Sequence, residues 1–276
     1  LELDDGRNYM VLLGIRNQIE RGSNMGRETF LVPLTWEREP FEWKETKHLW
    51  PVVAPETGRV EILNDVVFNN SVQNKVTHFA DNFDTAQLDL NWNFRRYPIE
   101  DVYKINKEEN RLNLFCYPNQ IKERGRAALL GFKQTESDFE YLTQMYFQPK
   151  SSDSEAGISL FQKDDNYINF TIIKKGDKHQ LQVYAIKNGE ILELIKDELR
   201  QYKGNIKFKV IADKDVYKLY YSLKGMDFKL FASLEGSYLK SNGYTGAHLG
   251  LYATGNGKNN QDFASFDYVN YLIKKK

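Results

Sequence analysis

Three aspartates and one arginine are the side chains of this 276-residue chain whose chemistry is easiest to state. Asp81, Asp84 and Asp267 offer carboxylate oxygens, and a calcium ion takes about six to eight oxygen ligands, backbone carbonyls included. If the strands carrying these residues lie side by side, as the first and last strands of a jelly roll do, the three can meet around one ion. The same aspartates can equally cap turns through their own backbone N–H groups. Arg27 stands between Gly26 and Glu28. Its planar fork can pair with the neighbouring glutamate, or donate paired hydrogen bonds to vicinal hydroxyls or a carboxylate.

Other reactive residue types offer less. His48, His78, His179 and His248 have no metal-ligand spacing, and no Ser-His-Asp or Cys-His arrangement is present. His248 follows Tyr244 by four residues, so in a strand both point to one side. Cys116 lies in Leu112–Tyr117, which alternates like a strand, so a buried, inert thiol is expected; a lone cysteine also excludes an intrachain disulfide. Gly255-Asn256-Gly257 lacks the third glycine and following helix of a dinucleotide site and reads as a turn.

The elements that must position these residues are strands. Aromatic content is high, with 17 Tyr, 17 Phe and 4 Trp, and such residues fill pleated surfaces. From His78 onward twelve alternating segments follow one another at short intervals, from Arg111–Tyr117 and Ala127–Lys133 to Thr245–Ala253 and Ala264–Leu272. Turn residues separate them, notably Asn188-Gly189, a strong hairpin signal. This pattern predicts an all-β, two-sheet sandwich of jelly-roll type over 78–276. Residues 1–62 hold three further strand candidates, Tyr9–Arg16, Thr29–Trp36 and Leu49–Val53. Three short strands make a poor core alone and read as one blade of something larger. The polar stretch 63–77 reads as a linker.

Bulk composition narrows the function. Lysine plus arginine equals aspartate plus glutamate, 38 against 38, which gives no long-range attraction to phosphate backbones or anionic lipid. Neither nucleic acid nor membrane is expected as a partner, and no apolar run reaches membrane-spanning length. The chain starts at Leu1 rather than Met, so a fragment or processed product is expected and the compartment is not legible.

Several collinear blocks resemble a known family. Gly26-Arg27-Glu28-Thr29-Phe30, Trp50-Pro51-Val52-Val53 and Gly58-Arg59 resemble the last blade of glycoside hydrolase family 43, whose β-xylosidases and α-L-arabinofuranosidases are built on a five-bladed β-propeller. Asp81–Asp84, Leu90–Arg96, Glu155–Ile158, Phe161–Tyr167, Tyr244–Ala247 and Asp262–Tyr268 resemble the concanavalin-A-like sandwich of its β-xylosidase branch. The resemblance implies inverting hydrolysis of a terminal pentose by an acid and a base roughly 6.5–9.5 Å apart. In the family these carboxylates come from earlier blades, so the chain is expected to lack them and to be inactive alone.

What the resemblance brings to such a pocket is Arg27, matching the family arginine that reaches the innermost sugar, and Tyr244, where the family sends an aromatic from a sandwich loop to wall that sugar. The family usually has phenylalanine there. Tyr244 can also simply cover the sandwich rim. The expected partners are a xylo- or arabino-oligosaccharide and the remaining propeller blades. No cofactor is required, with structural calcium as the one candidate. Two other functions compete: a free carbohydrate-binding module, and a purely structural sandwich. A binding module should show a row of exposed aromatics, and Trp92 and Tyr97 fit either a platform or a packing role.

Overall fold

Alternation in the sequence becomes strand almost everywhere. The computed structural model describes residues 1–16, 23–37, 49–61, 78–96, 102–123, 125–240 and 245–274, and no α-helix occurs among them. The linker expected at 63–77, and His48, Tyr97 and Tyr244, lie outside the described residues. The chain forms two compact units, 1–16 with 27–75, and 17–26 with 76–276.

The first unit is an antiparallel sheet of β1 (Asn8–Gly14), β2 (Glu28–Glu37) and β3 (Trp50–Val53), in that order. Val11 lies opposite Leu31, and Leu34 opposite Val53. Among the described residues its buried apolar side chains are few: Tyr9, Val32, Leu34 and Ala54. Val11, Leu13, Trp36 and Trp50 stay 60%, 65%, 50% and 51% exposed. A three-stranded sheet of this size has too little apolar area to bury on itself.

The second unit is a sandwich of two antiparallel sheets. One has the order β13 (Glu190–Glu198), β12 (Lys178–Lys187), β11 (Asn166–Lys175), β10 (Glu155–Lys163), β17 (His248–Thr254), β8 (Ala128–Lys133), β5 (Asn93–Phe94). The other runs β16 (Lys229–Glu235), β15 (Val216–Ser222), β14 (Asn205–Asp213), β9 (Phe139–Tyr146), β18 (Phe263–Ile273), β7 (Arg111–Phe115), β6 (Tyr103–Asn106). The eighth strand of this sheet, β4 (His78–Asp81), pairs with the C-terminal half of β18. The first and last strands of the sandwich are therefore neighbours, as a jelly roll requires.

Period-two alternation decides which side chains enter the core. In β9, Phe139, Tyr141, Thr143 and Met145 are buried, and Phe139, Tyr141 and Met145 belong with Ile158, Leu160, Phe170 and Ile172 of the facing sheet to one continuous core. All twelve longer segments expected from the sequence are present, and the three short strands β4, β5 and β6 add to them. Asn188 and Gly189 both take positive φ, 53° and 84°, between the paired Lys187 and Glu190, as a type I′ hairpin needs.

One boundary differs from the sequence expectation, which placed 17–26 in the first segment. Residues 23–26 pack into the sandwich because their polar groups find partners there. The Asn24 amide donates to the Tyr217 hydroxyl at 2.7 Å, and the Ala247 N–H donates to the Asn24 carbonyl at 2.6 Å. Tyr217 passes the chain of hydrogen bonds on, donating to Gln134 Oε1 at 2.8 Å.

Candidate functional site

Asp81 and Asp267 lie on the paired strands β4 and β18 but do different work. Asp81 faces Val269 across β4 and β18. Its Oδ1 accepts the Phe83 N–H at 2.8 Å, an Asx turn that accompanies the positive φ of Phe83, 55°. Its Oδ2 accepts the indole N–H of Trp92 at 2.7 Å. Asp267 accepts Arg111 Nε on one oxygen and Gln144 Nε2 on the other, both at 2.6 Å. The Arg111 guanidinium also lies 4.0 Å from the centre of the Tyr146 ring. Asp84 is exposed. Among the described residues, no group of three or more His, Cys, Asp or Glu side chains is arranged to hold a metal ion.

Arg27 is exposed, directly ahead of β2. Both oxygens of the adjacent Glu28 accept from Arg16, Nε and one terminal nitrogen each at 2.7 Å. Glu28 thus has a bidentate partner within its own unit. Tyr244 precedes Thr245, which forms an isolated antiparallel bridge with Gly26. A side chain at Gly246 would collide with the Met25 backbone, so the approach of these two segments requires glycine there. Trp92 is buried and packs by its rings against Phe79, Phe83 and Phe132, with centroids 5.5, 6.0 and 5.5 Å away. It is a core residue and no exposed sugar platform.

The unexpected chemistry lies on the outer face of the seven-stranded sheet. That face is largely buried and partly polar: Glu155, Ser159, Asn169, Thr171 and Gln182 are all buried, beside an apolar cluster that includes Leu129, Tyr167 and Tyr252. Glu155 Oε1 accepts the Thr171 hydroxyl at 2.8 Å and the Tyr184 hydroxyl at 2.9 Å. Its Oε2 accepts the Asn256 amide at 3.1 Å. Burial, reinforced by the charge of Glu155, pushes the Tyr184 and Tyr252 hydroxyls well above their ordinary pKa. With three donors on its two oxygens, Glu155 is built to hold strands together rather than to move a proton.

Where this face meets β5 and β8, the side chains stop and a cleft of about 150 Å³ opens. Its floor is Gly131 and Gly250, opposite each other in register. Phe161 and His248, themselves a cross-strand pair, stand on one side. Burial, more than the nearby Lys133 charge, holds the His248 imidazole below its ordinary pKa, so at neutral pH it is uncharged. Arg95 and Arg96 close the cleft from the segment after β5. Arg95 Nε donates to Asp164 Oδ1 at 2.6 Å, and a second Arg95 nitrogen contacts the same oxygen. Arg96 donates to Asp164 Oδ2 at 2.9 Å, and the Arg95 guanidinium carbon lies 5.4 Å from the Phe161 ring centre. Sequence reading noted the blocks 90–96 and 161–167 separately. Their contact across 69 residues leaves no local signal.

Comparison with known proteins follows the same division. The family described as "Beta xylosidase C-terminal Concanavalin A-like domain" matches residues 80–272. A "Xylosidase/arabinosidase" of Butyrivibrio fibrisolvens is 26% identical over 269 residues, 96% of this chain and 50% of the relative. A "Non-reducing end alpha-L-arabinofuranosidase" of Bacteroides ovatus is 23% identical over 278 residues, 98% of this chain and 50% of the relative. The chain thus spans about half the length of the curated relatives it matches. Among solved structures, the Bacteroides ovatus protein described as "Xyloglucan PUL GH43B" superposes with TM-score 0.84 at 22% identity, covering 99% of this chain and 52% of that one. The GH43 protein BlXynB of Bacillus licheniformis gives 0.81 at 22% identity with the same coverage. At such identities these two superpositions speak for the fold.

Proposed function

The chain belongs to the family of β-xylosidase C-terminal concanavalin A-like domains, and on that footing we propose that it is the C-terminal portion of an inverting family 43 exo-glycosidase. The whole enzyme would release terminal pentoses from xylan- or arabinan-type plant polysaccharides. In this reading β1–β3 form the last blade of a five-bladed propeller, the acid and base carboxylates lie in the other blades, and the sandwich closes the pocket. One observation carries the reading: the two curated relatives match across 96% and 98% of this chain, the three-stranded sheet included, while the chain covers 50% of each. A free binding module has no use for such a sheet. The exposed Val11, Leu13, Trp36 and Trp50 support the same view, since a neighbouring blade would cover apolar side chains of this kind.

Arg27 and Tyr244 are the contributions proposed for the pocket. A guanidinium suits vicinal hydroxyls through its paired donors. An aromatic wall restricts a site to chain ends by blocking the next sugar. The test is to express the reading frame extended upstream of Leu1 and to assay aryl β-D-xylosides and aryl α-L-arabinofuranosides, following the product anomer by NMR. Turnover with inversion that falls at least about a hundredfold in Arg27→Ala, the loss of about 2.7 kcal/mol of transition-state contact, is expected. An extended protein with no glycosidase activity on either pentoside overturns the proposal.

A further inference from the structure

We infer that the cleft between Arg95, Arg96, Phe161 and His248 is a binding site for one acidic sugar residue, a hexuronate whose ring rests on the glycine floor. All its described lining residues belong to the sandwich; the choice of a sugar among carboxylate-bearing rings rests on the proposed function.

Three observations carry this. The first is room. A volume of about 150 Å³ is the scale at which a protein cavity accepts a single six-membered ring. Gly131 and Gly250, paired in register, put no side chain of their own at the point where a ring would lie, and the Leu129 side chain borders the Gly250 position.

Charge is the second. Two guanidiniums share one carboxylate: Asp164 takes two nitrogens of Arg95 on Oδ1 and one of Arg96 on Oδ2. One positive charge is left over. Arg96 commits a single terminal nitrogen to Asp164, so its remaining donors can form the fork that a second carboxylate fits. A neutral sugar makes no use of this surplus, and a small inorganic anion makes no use of Phe161.

The third observation is the mixture of partners. Phe161 offers an aromatic surface already bordered by the Arg95 guanidinium. At the uncharged His248 the Gly246 backbone carbonyl takes the imidazole N–H and the other ring nitrogen is an acceptor, while Asn93, whose amide donates to the Asn91 carbonyl at 2.9 Å, brings its side-chain oxygen's acceptor chemistry to the lining. A hexuronate presents C–H groups, hydroxyls and one carboxylate, and each has a counterpart here.

The experiment is an NMR titration of the 276-residue chain, recording backbone amides, with D-glucuronate, D-galacturonate, D-xylose and inorganic phosphate in separate arms at low salt. Saturable shifts of the Gly131 and Gly250 amides with a uronate, at least about tenfold tighter than with xylose or phosphate, are expected. Arg96→Gln should weaken uronate binding about tenfold, the worth of one charge-assisted hydrogen bond. Arg96 is a partly exposed side chain, and the variant's own spectrum reports whether the fold survives. If it does not, raising salt on the unaltered chain must weaken the uronate and leave xylose unchanged, because screening acts on the charge alone. Equal binding of xylose, equal binding of phosphate, or uronate shifts that spare both glycines would each overturn the inference. Failure here leaves the glycosidase proposal standing, since that is read by turnover of the extended protein.

Discussion

The indole N–H of Trp92 donates to the Asp81 carboxylate at 2.7 Å, and that single bond ties the segment after β4 into the aromatic core. Trp92 meets Phe79, Phe83 and Phe132 with its rings, while Asp81 turns the chain by accepting the Phe83 N–H. A buried indole needs a partner for its N–H, and a carboxylate at a turn supplies one without leaving its own second oxygen idle.

Removing that carboxylate should therefore be felt in stability. Asp81→Ala strands the indole N–H and loses the turn bond, a cost of about 1–3 kcal/mol. Urea unfolding followed by tryptophan fluorescence measures it. The loss should be the same in calcium and in chelator, because the bonds it breaks are to Phe83 and Trp92. A loss seen only with calcium present would support the oxygen-cluster reading of Asp81, Asp84 and Asp267.

Glu155 should be the costlier position. Glu155→Ala leaves the Thr171 and Tyr184 hydroxyls without this acceptor and takes one of two acceptors from the Asn256 amide, which keeps the Asp153 carbonyl, a loss of about 3 kcal/mol by the cost of buried orphaned groups. Glu155→Gln should lose less, since its carbonyl still accepts both hydroxyls while its amide now faces the Asn256 amide. Denaturant midpoints for the pair rank the two. Equal losses would contradict the hydrogen-bond account.

Two histidines set a pH slope. Burial, more than nearby lysines, holds His248 and His179 below their ordinary pKa in the folded chain. Unfolded imidazoles bind protons at about pH 6.5. Above that pH both states are unprotonated and this stability is fully present. As pH falls through the window between the unfolded value and the lower folded one, the unfolded chain gains protons that the folded chain refuses, and stability drops. The urea midpoint should fall from pH 7 to pH 5.5, and His248→Gln should remove part of that fall. A steeper fall in the variant would contradict the sign.

The thiol gives a chemical check on the core. Burial, then the charges of Asp262 and Glu155, pushes Cys116 up to about 12, so almost no thiolate exists at pH 8. Ellman's reagent should leave the folded chain unlabelled over the time in which the urea-unfolded chain reacts completely. Fast labelling without denaturant would show the sandwich opening at the end of β7.

Long, alternating segments were legible because period-two burial writes itself into the sequence, as in β9 and β14. β5, with two residues, and β4 and β6, with four each, are too short to carry a period and are held by their partners β8, β18 and β7. Asn188-Gly189 announced its hairpin because both positions need positive φ. The cleft and the Glu155 network stayed hidden for the opposite reason. Arg95 with Asp164, and Glu155 with Asn256, join residues 69 and 101 positions apart, and each residue alone looks like an ordinary charge. Arg27 and Tyr244 were found through family resemblance and not through any pattern of their own.

We propose that this chain is part of a glycosidase whose catalytic carboxylates lie elsewhere. The most direct measurement is turnover of aryl β-D-xyloside and aryl α-L-arabinofuranoside by the purified 276-residue chain alone, with the extended protein as the positive control. The account predicts no release above buffer from the chain alone and clear release from the extended protein. Hydrolysis by the chain alone, abolished by replacing one of its own carboxylates, would contradict it.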